Sequence, residues 1–143
     1  MEGVEMSVVA RMVTPDGPEV AVYTIWMYDP GDPFAVTVRF QQADEHVDWT
    51  FARDLLADGL ADGLADKAVG LGDVRIFDLS FGFVGIILES PDGAALFSWK
   101  RGPLARFLQL TYQKVPRMRE GEHQDLDKVL DRILDRDGGM SGI

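Results

Sequence analysis

The stretch "PFAVTVRFQQADEHVDWTFARDLL", residues 33–56, changes its hydrophobic period part-way, and that change separates sheet from helix. Phe34, Val36, Val38 and Phe40 alternate with Ala35, Thr37 and Arg39, the period of two of a strand with one covered and one wet face. After the polar turn "QQADE" (41–45), Val47, Trp49 and Phe51 alternate with Asp48 and Thr50. The pair reads as an antiparallel hairpin whose first strand starts at Phe34. At Arg53-Asp54 the alternation stops and a helix begins. The repeat "DLLADGLADGLADKAVGLGD" (54–73) then spaces Asp54, Asp58, Asp62 and Asp66 four apart.

A helix through the whole repeat would set like charges at i, i+4 and place Gly59 and Gly63 inside it, each glycine costing roughly 0.8–1 kcal/mol relative to alanine. A short helix ending at Gly59, with that glycine as a left-handed cap, is the cheaper reading. Calcium loops space their ligands two residues apart, so a four-residue spacing does not surround one ion. The repeat reads as a solvated insertion.

Upstream, Val4–Val13 and Val20–Tyr28 read as strands joined through "TPDGP" (14–18), a turn built on Pro15-Asp16-Gly17. In the second strand Val20, Val22 and Trp26 oppose Ala21, Tyr23, Ile25 and Met27, so neither face is polar and both are expected to be covered. "DPGDP" (29–33) breaks the run, because each proline lacks an amide donor and holds the preceding Asp extended. Downstream, Val74–Leu79, Phe83–Glu89 and Ala94–Trp99 give three more strands, the last two joined by "SPDG" (90–93). A helix with Pro103 in its first turn buries Leu104, Phe107, Leu108 and Thr111 and stops at Val115-Pro116. A last helix, capped by Asp125, carries Leu126, Val129, Leu130, Ile133 and Leu134 on one face.

The chain has 143 residues, 46% hydrophobic, enough for one domain with its own core. It is expected to span residues 1–136, with a disordered tail at 137–143. With no cysteine, thiol chemistry, disulfides and cysteine-ligated zinc are excluded. No run approaches the ~20 apolar residues of a membrane span, and the acidic start "MEGVEMSVVA" is not a signal peptide, so a cytoplasmic protein is expected. A formal charge of −10 repels nucleic acid at long range. There is no Gly-x-Ser-x-Gly, phosphate loop, dinucleotide fingerprint or His-Glu-x-x-His. His46 has no nucleophile near it in sequence, and His123 among Glu120, Glu122, Asp125 and Asp127 reads as capping and solvation. No enzyme, metal or cofactor is expected.

Three blocks taken together resemble one family. "YDPGDPFAVTVRF" (28–40), "WTFARDLLADGL" (49–60) with "GDVRIF" (72–77), and "SPDGAALF" (90–97) with "PLARFL" (103–108), "VP" (115–116) and "GEHQDLDKVLDRIL" (121–134) look like the SsgA-like sporulation and cell-division proteins of actinobacteria. The resemblance implies a non-catalytic protein of sporulation-specific septation, in a family with members that localise the divisome and recruit the tubulin-like division GTPase FtsZ. It also implies a β-rich fold similar to the Whirly proteins, assembled as a trimer. The expected fold is therefore α+β: about seven mainly antiparallel strands in two packed, Whirly-like or barrel-like sheets, with one short central helix and two C-terminal helices. The chain departs from the family in the longer stretch between Leu60 and Gly72, and in Ile76-Phe77-Asp78 where members often carry Trp-Pro.

The motif residues that the resemblance marks for interaction are Tyr28, Asp29, Asp32, Phe34, Trp49, Arg53, Asp54 and Asp73. Asp54 also suits a helix N-terminus, where the dipole favours an acid by about 0.3–1 kcal/mol, and Asp29 and Asp32 suit turn hydrogen bonds. A second candidate is the basic stripe Lys100, Arg101, Arg106, Lys114, Arg117 and Arg119, interleaved with Trp99, Phe107 and Tyr112. Such interleaving can bind single-stranded nucleic acid in a Whirly-like manner. Phe107 falls on a buried helix face, however, and an acidic partner protein makes less demand on stacking. The function expected is a homo-oligomeric scaffold, trimeric by resemblance, that is recruited to septa and binds FtsZ or other septation proteins.

Overall fold

The computed structural model describes residues 2–14, 17–61 and 73–139. In chain order the elements are β1 (Val4–Val13), β2 (Val20–Tyr28), β3 (Ala35–Gln42), β4 (Glu45–Ala52), α1 (Arg53–Ala61), β5 (Val74–Ser80), β6 (Phe83–Ser90), β7 (Gly93–Lys100), α2 (Arg101–Lys114), a 3-10 turn at Glu120–Glu122, and α3 (Leu126–Gly139).

All seven strands hydrogen-bond into one antiparallel sheet, in the order β4-β3-β2-β1-β7-β6-β5. There are not two packed sheets as expected: β1 and β7 pair, so a four-stranded meander (β1–β4) and a three-stranded one (β5–β7) merge into one surface. A single sheet buries a core by curling. Flat strands about 4.8 Å apart would separate β3 from β7 by about 14 Å, yet the Phe40 and Phe97 ring centroids on those strands lie 4.6 Å apart. Trp26 on β2 likewise meets Trp99 on β7 edge-on at 5.4 Å. The concave face closes on Trp26, Trp49, Trp99 and Phe107, all at most 1% exposed.

Helix α2 fills that hollow. Leu104, Phe107, Leu108 and Thr111 are its buried residues, as the spacing predicts, and Phe107 packs edge-on against Trp26 at 5.8 Å. Trp99 Nε1–H donates to the Thr24 hydroxyl, which in turn donates to the Val8 carbonyl, whereas the buried indole N–H groups of Trp26 and Trp49 find no acceptor among the described residues.

Among the described residues the convex face has no second layer. Thr24, Trp26 and Tyr28 of β2 are buried, while Tyr23 is 72% exposed and Ile25 and Met27 are only half-buried. A strand covered on both faces is therefore not what this chain builds by itself. Strand β3 starts at Ala35: Phe34 is 45% exposed and out of phase, because Pro33 and the turn before it rotate the chain and the Phe34 carbonyl accepts the Arg53 amide instead.

Helix α1 does not stop at Gly59. It runs to Ala61, and Gly59 is helical and buried against β5, where an added Cβ would lie 2.4 Å from Ile76 Cγ2. Close helix–strand approach, rather than a left-handed cap, is what requires a glycine there. Residues 62–72, with Asp62, Asp66 and most of the repeat, lie outside the described residues, as do Pro15 and Asp16 of the first turn. Helix α3 is described to Gly139, and residues 140–143 lie outside.

Candidate interaction site around Arg53

Arg53 stands where β4 becomes α1, and this change of direction sends its side chain inward rather than onto the strand's alternating faces. It is fully buried. Its Nη1 donates to the carbonyls of Thr111, at 3.3 Å, and Val115, at 2.7 Å, the last turn and C-cap of α2. A cation on exposed C-terminal carbonyls is favoured by the helix dipole. Its Nη2 donates to Glu120 Oε2 at 2.9 Å in a pair buried on both sides. The guanidinium lies over Tyr28, 5.1 Å from the ring centroid, and over Tyr112 at 4.7 Å.

This environment shifts the surrounding groups. Burial pushes the Tyr28 phenol up to about 12, against the opposing pull of the Arg53 charge, and its hydroxyl donates to the Pro33 carbonyl at 2.9 Å. Burial also raises the Tyr112 phenol, against Arg117 and Arg53. Glu120 experiences burial as an upward push, but the hydrogen bond from Arg53, its own backbone amide and the Arg53 charge hold it below the usual carboxylate range. Arg53 and Glu120 are thus an ion pair, with the tyrosines as its neutral walls.

The "DPGD" loop lies beside this centre. Asp29 accepts the Gly31 amide at 2.8 Å, the turn role expected of it, and also Lys128 Nζ at 3.0 Å. Asp32 is 8% exposed and pairs with Arg132 through both nitrogens of its fork. The Gly31 carbonyl accepts the Asp125 amide at 2.6 Å, and Asp125 caps α3 by accepting the Asp127 amide at 3.0 Å. The loop therefore grips α3 by its polar face. The opposite, apolar stripe points outward, with Leu126 69%, Leu130 56% and Ile133 46% exposed.

Of the motif residues, Tyr28, Asp29, Asp32 and Arg53 converge here. Trp49 is buried in the core, Phe34 is half-open at the loop's end, and Asp54 is exposed in the first turn of α1. Asp73 is exposed at the entry to β5, its carbonyl accepting the Glu89 amide. Sequence reading missed Tyr112 and Glu120 as partners of Arg53, and Lys128 and Arg132 as partners of the acidic loop. The signal for the last two was present: they sit at i, i+4 opposite the apolar stripe.

The basic stripe is divided. Arg117 reaches Asp54 at 3.5 Å and Asp58 at 3.6 Å, and Arg119 is paired with Glu122. Lys100, Arg101, Arg106 and Lys114 have no ion pair among the described residues. Trp99 and Phe107 are buried, so neither offers a face for a stacked base, and one face of Tyr112 is taken by Arg53.

The family model for the Streptomyces sporulation and cell division protein SsgA matches residues 22–120. The chain belongs to the SsgA family. It is 43% identical over 137 residues to the sporulation-specific cell division protein SsgB of Salinispora tropica, covering 92% of each chain. A structure from work on SsgB mutations that correlate with longitudinal cell division during sporulation of Streptomyces coelicolor superposes with a TM-score of 0.76 at 37% identity, over 85% of this chain and 95% of that one. The SsgA-like sporulation-specific cell division protein of Thermobifida fusca gives 0.77 at 32% identity, over 92% and 96%. The SsgA-family match spans all four residues that converge at the Arg53 centre, and it ends at Glu120, the acid that Arg53 holds.

Proposed function

We propose that this SsgA-family chain is a non-catalytic, cytoplasmic component of sporulation septation, recruited to septa, that acts as one domain over residues 1–136 by binding FtsZ or other septation proteins. The observation that carries this reading is the division of labour within the fold. Buried chemistry at Arg53 is spent on joining segments, while large apolar side chains are left open elsewhere, on the α3 stripe and at the cross-strand pair Val9 and Tyr23 of the β1–β2 outer face, 53% and 72% exposed. Contiguous exposed apolar surface marks association. A second copy of this chain suits those two faces, since each carries exposed apolar side chains and neither is covered by the described residues, and a Whirly-like trimer is the closed assembly proposed. Tyr28, Trp49 and Arg53 then act by positioning, while Asp29, Asp32, Phe34, Asp54 and Asp73 border the presented surface. No described helix is long and apolar enough to cross a membrane.

The test is capture of FtsZ from the same host by the purified chain at low and high salt, with a single-stranded oligonucleotide as competitor. Retention of FtsZ without competition is expected. Capture of the oligonucleotide alone would overturn the reading. Sedimentation at micromolar concentration should give a species about three times the monomer mass, and a monomer would remove the assembly.

A further inference from the structure

The β5–β6 turn is built against local preference. Its two central residues are Phe81, with φ 54°, and Gly82, with φ 82°, between the paired Ser80 and Phe83. A two-residue loop with both φ values positive favours Asn-Gly, Asp-Gly or Gly-Gly. A phenylalanine there is strained, because its Cβ crowds the following carbonyl. Ser80 just before it is also left-handed, with φ 73°, where the ladder shifts register. The fold pins this conformation from both sides: Asp78 accepts the Ser80 amide at 2.9 Å, and the Gly82 carbonyl accepts the Arg101 amide at 2.8 Å.

Phe81 contributes nothing to the core in return. At 98% exposure it is the most open large apolar side chain among the described residues. Beside it lie Lys100, paired across the ladder with Phe83, and Arg101, whose amide holds the turn. Neither cation has an ion pair among the described residues, and α2 has no acid in its first turn. In a chain with a formal charge of −10, this tip joins an exposed aromatic ring to two cations without a direct ion pair among the described residues, with the Asp78 carboxylate at the turn engaged by the Ser80 amide.

We propose that the Phe81 tip, with Lys100 and Arg101, is a docking point for an acidic segment of a partner protein that carries an apolar side chain beside its carboxylates. The proposal deepens, and rests on, the reading of this chain as a binder of septation proteins. Charge complementarity selects the occupant: a short acidic peptide meets the local cations, whereas an anionic membrane meets the whole acidic body. One inserted ring also gives little membrane affinity by itself.

The decisive variant is Phe81→Asn, which gives the turn its preferred chemistry while removing the ring, so its thermal midpoint should hold or rise. A phage-displayed random peptide library is panned on the full-length chain, and enriched peptides are measured by fluorescence anisotropy. Peptides rich in Asp and Glu next to Leu, Ile, Val or Phe are expected, binding at least tenfold more weakly to Phe81→Asn and to Lys100→Glu/Arg101→Glu. Enrichment without acids, equal binding to Phe81→Asn, or Phe81-dependent pelleting with phosphatidylglycerol vesicles in place of peptide binding would overturn the proposal. Equal capture of FtsZ by wild type and Phe81→Asn would remove the tip but leave the recruiting role. Binding of acidic peptides with no capture of FtsZ would support the tip and remove that partner.

Discussion

Two ionic joints hold the C-terminal part of this chain, and they differ in almost every physical respect. Arg53–Glu120 is buried on both sides, backed by two α2 carbonyls and walled by Tyr28 and Tyr112. Lys128–Asp29 is half-exposed on both sides, and Arg132–Asp32 lies between these extremes. The first joint sits at one end of α2, whose other buried residues fill the concave face of the sheet. The second holds a helix whose apolar residues Leu126, Leu130 and Ile133 are exposed. One joint therefore belongs to the fold, and the other to whatever α3 presents.

Removing one partner of the dry joint should have the largest effect. Arg53→Met leaves Glu120 buried without a cation, and a loss of about 3–5 kcal/mol is expected in urea unfolding. The double variant Arg53→Met/Glu120→Leu should recover much of it, because no unpaired charge remains. A double variant as unstable as the single one would mean that the carbonyl contacts, rather than the pair, carry the joint.

Gly59→Ala should come next. Alanine gains about 1 kcal/mol in helix propensity, but the new methyl would meet the Ile76 side chain at 2.4 Å, and overpacking of this kind costs about 1–3 kcal/mol. Net destabilisation, read as a lower thermal midpoint, is expected. A stabilised variant would show that α1 can shift away from β5.

The same joint sets a pH window. The Tyr28 phenol, raised from 10.0 to about 12, is held neutral by the fold, so its contribution is complete below pH 10 and is lost as pH rises toward 12. The loss is on the order of 2 kcal/mol. Glu120 works in the opposite sense: lowered from 4.5, it stabilises above that value, and the contribution is lost as pH falls through its folded pKa. Tyr28→Phe should make the alkaline limb of a pH-dependent unfolding series shallower, with the raised Tyr112 phenol keeping part of it, and leave the acid limb, which Glu120→Gln should make shallower.

The smallest effect belongs to the wet joint. Lys128→Ala should change global stability by about 0–1 kcal/mol, less at high salt. Its readout is local: faster amide exchange in α3 without change in α2.

How much of this was legible in the sequence follows from the range over which each interaction acts. Strand and helix identities were legible, since Phe40, Trp49 and Leu104 declare themselves through neighbours two to four residues away. Asp125 as the α3 cap was legible for the same reason. Gly59 was misread because the cause of its glycine, Ile76 on another element, is not local. The single curled sheet was misread because alternation tells which residues face inward and not how many strands share one ladder. For Arg53, the motif marked the position, but Thr111, Val115 and Glu120 reach it from 58 to 67 residues away. Phe81 falls between the expected strands Val74–Leu79 and Phe83–Glu89, but its left-handed φ and its full exposure are not written in the alternation on either side.

Hydrogen exchange of the intact chain at low and high salt tests the central distinction most directly. The account predicts that amides of α1 and α2 around Arg53 exchange only through global unfolding at either salt, while those of α3 exchange through a local opening that salt accelerates. Exchange of α3 together with α2, at one salt-independent rate, would contradict it.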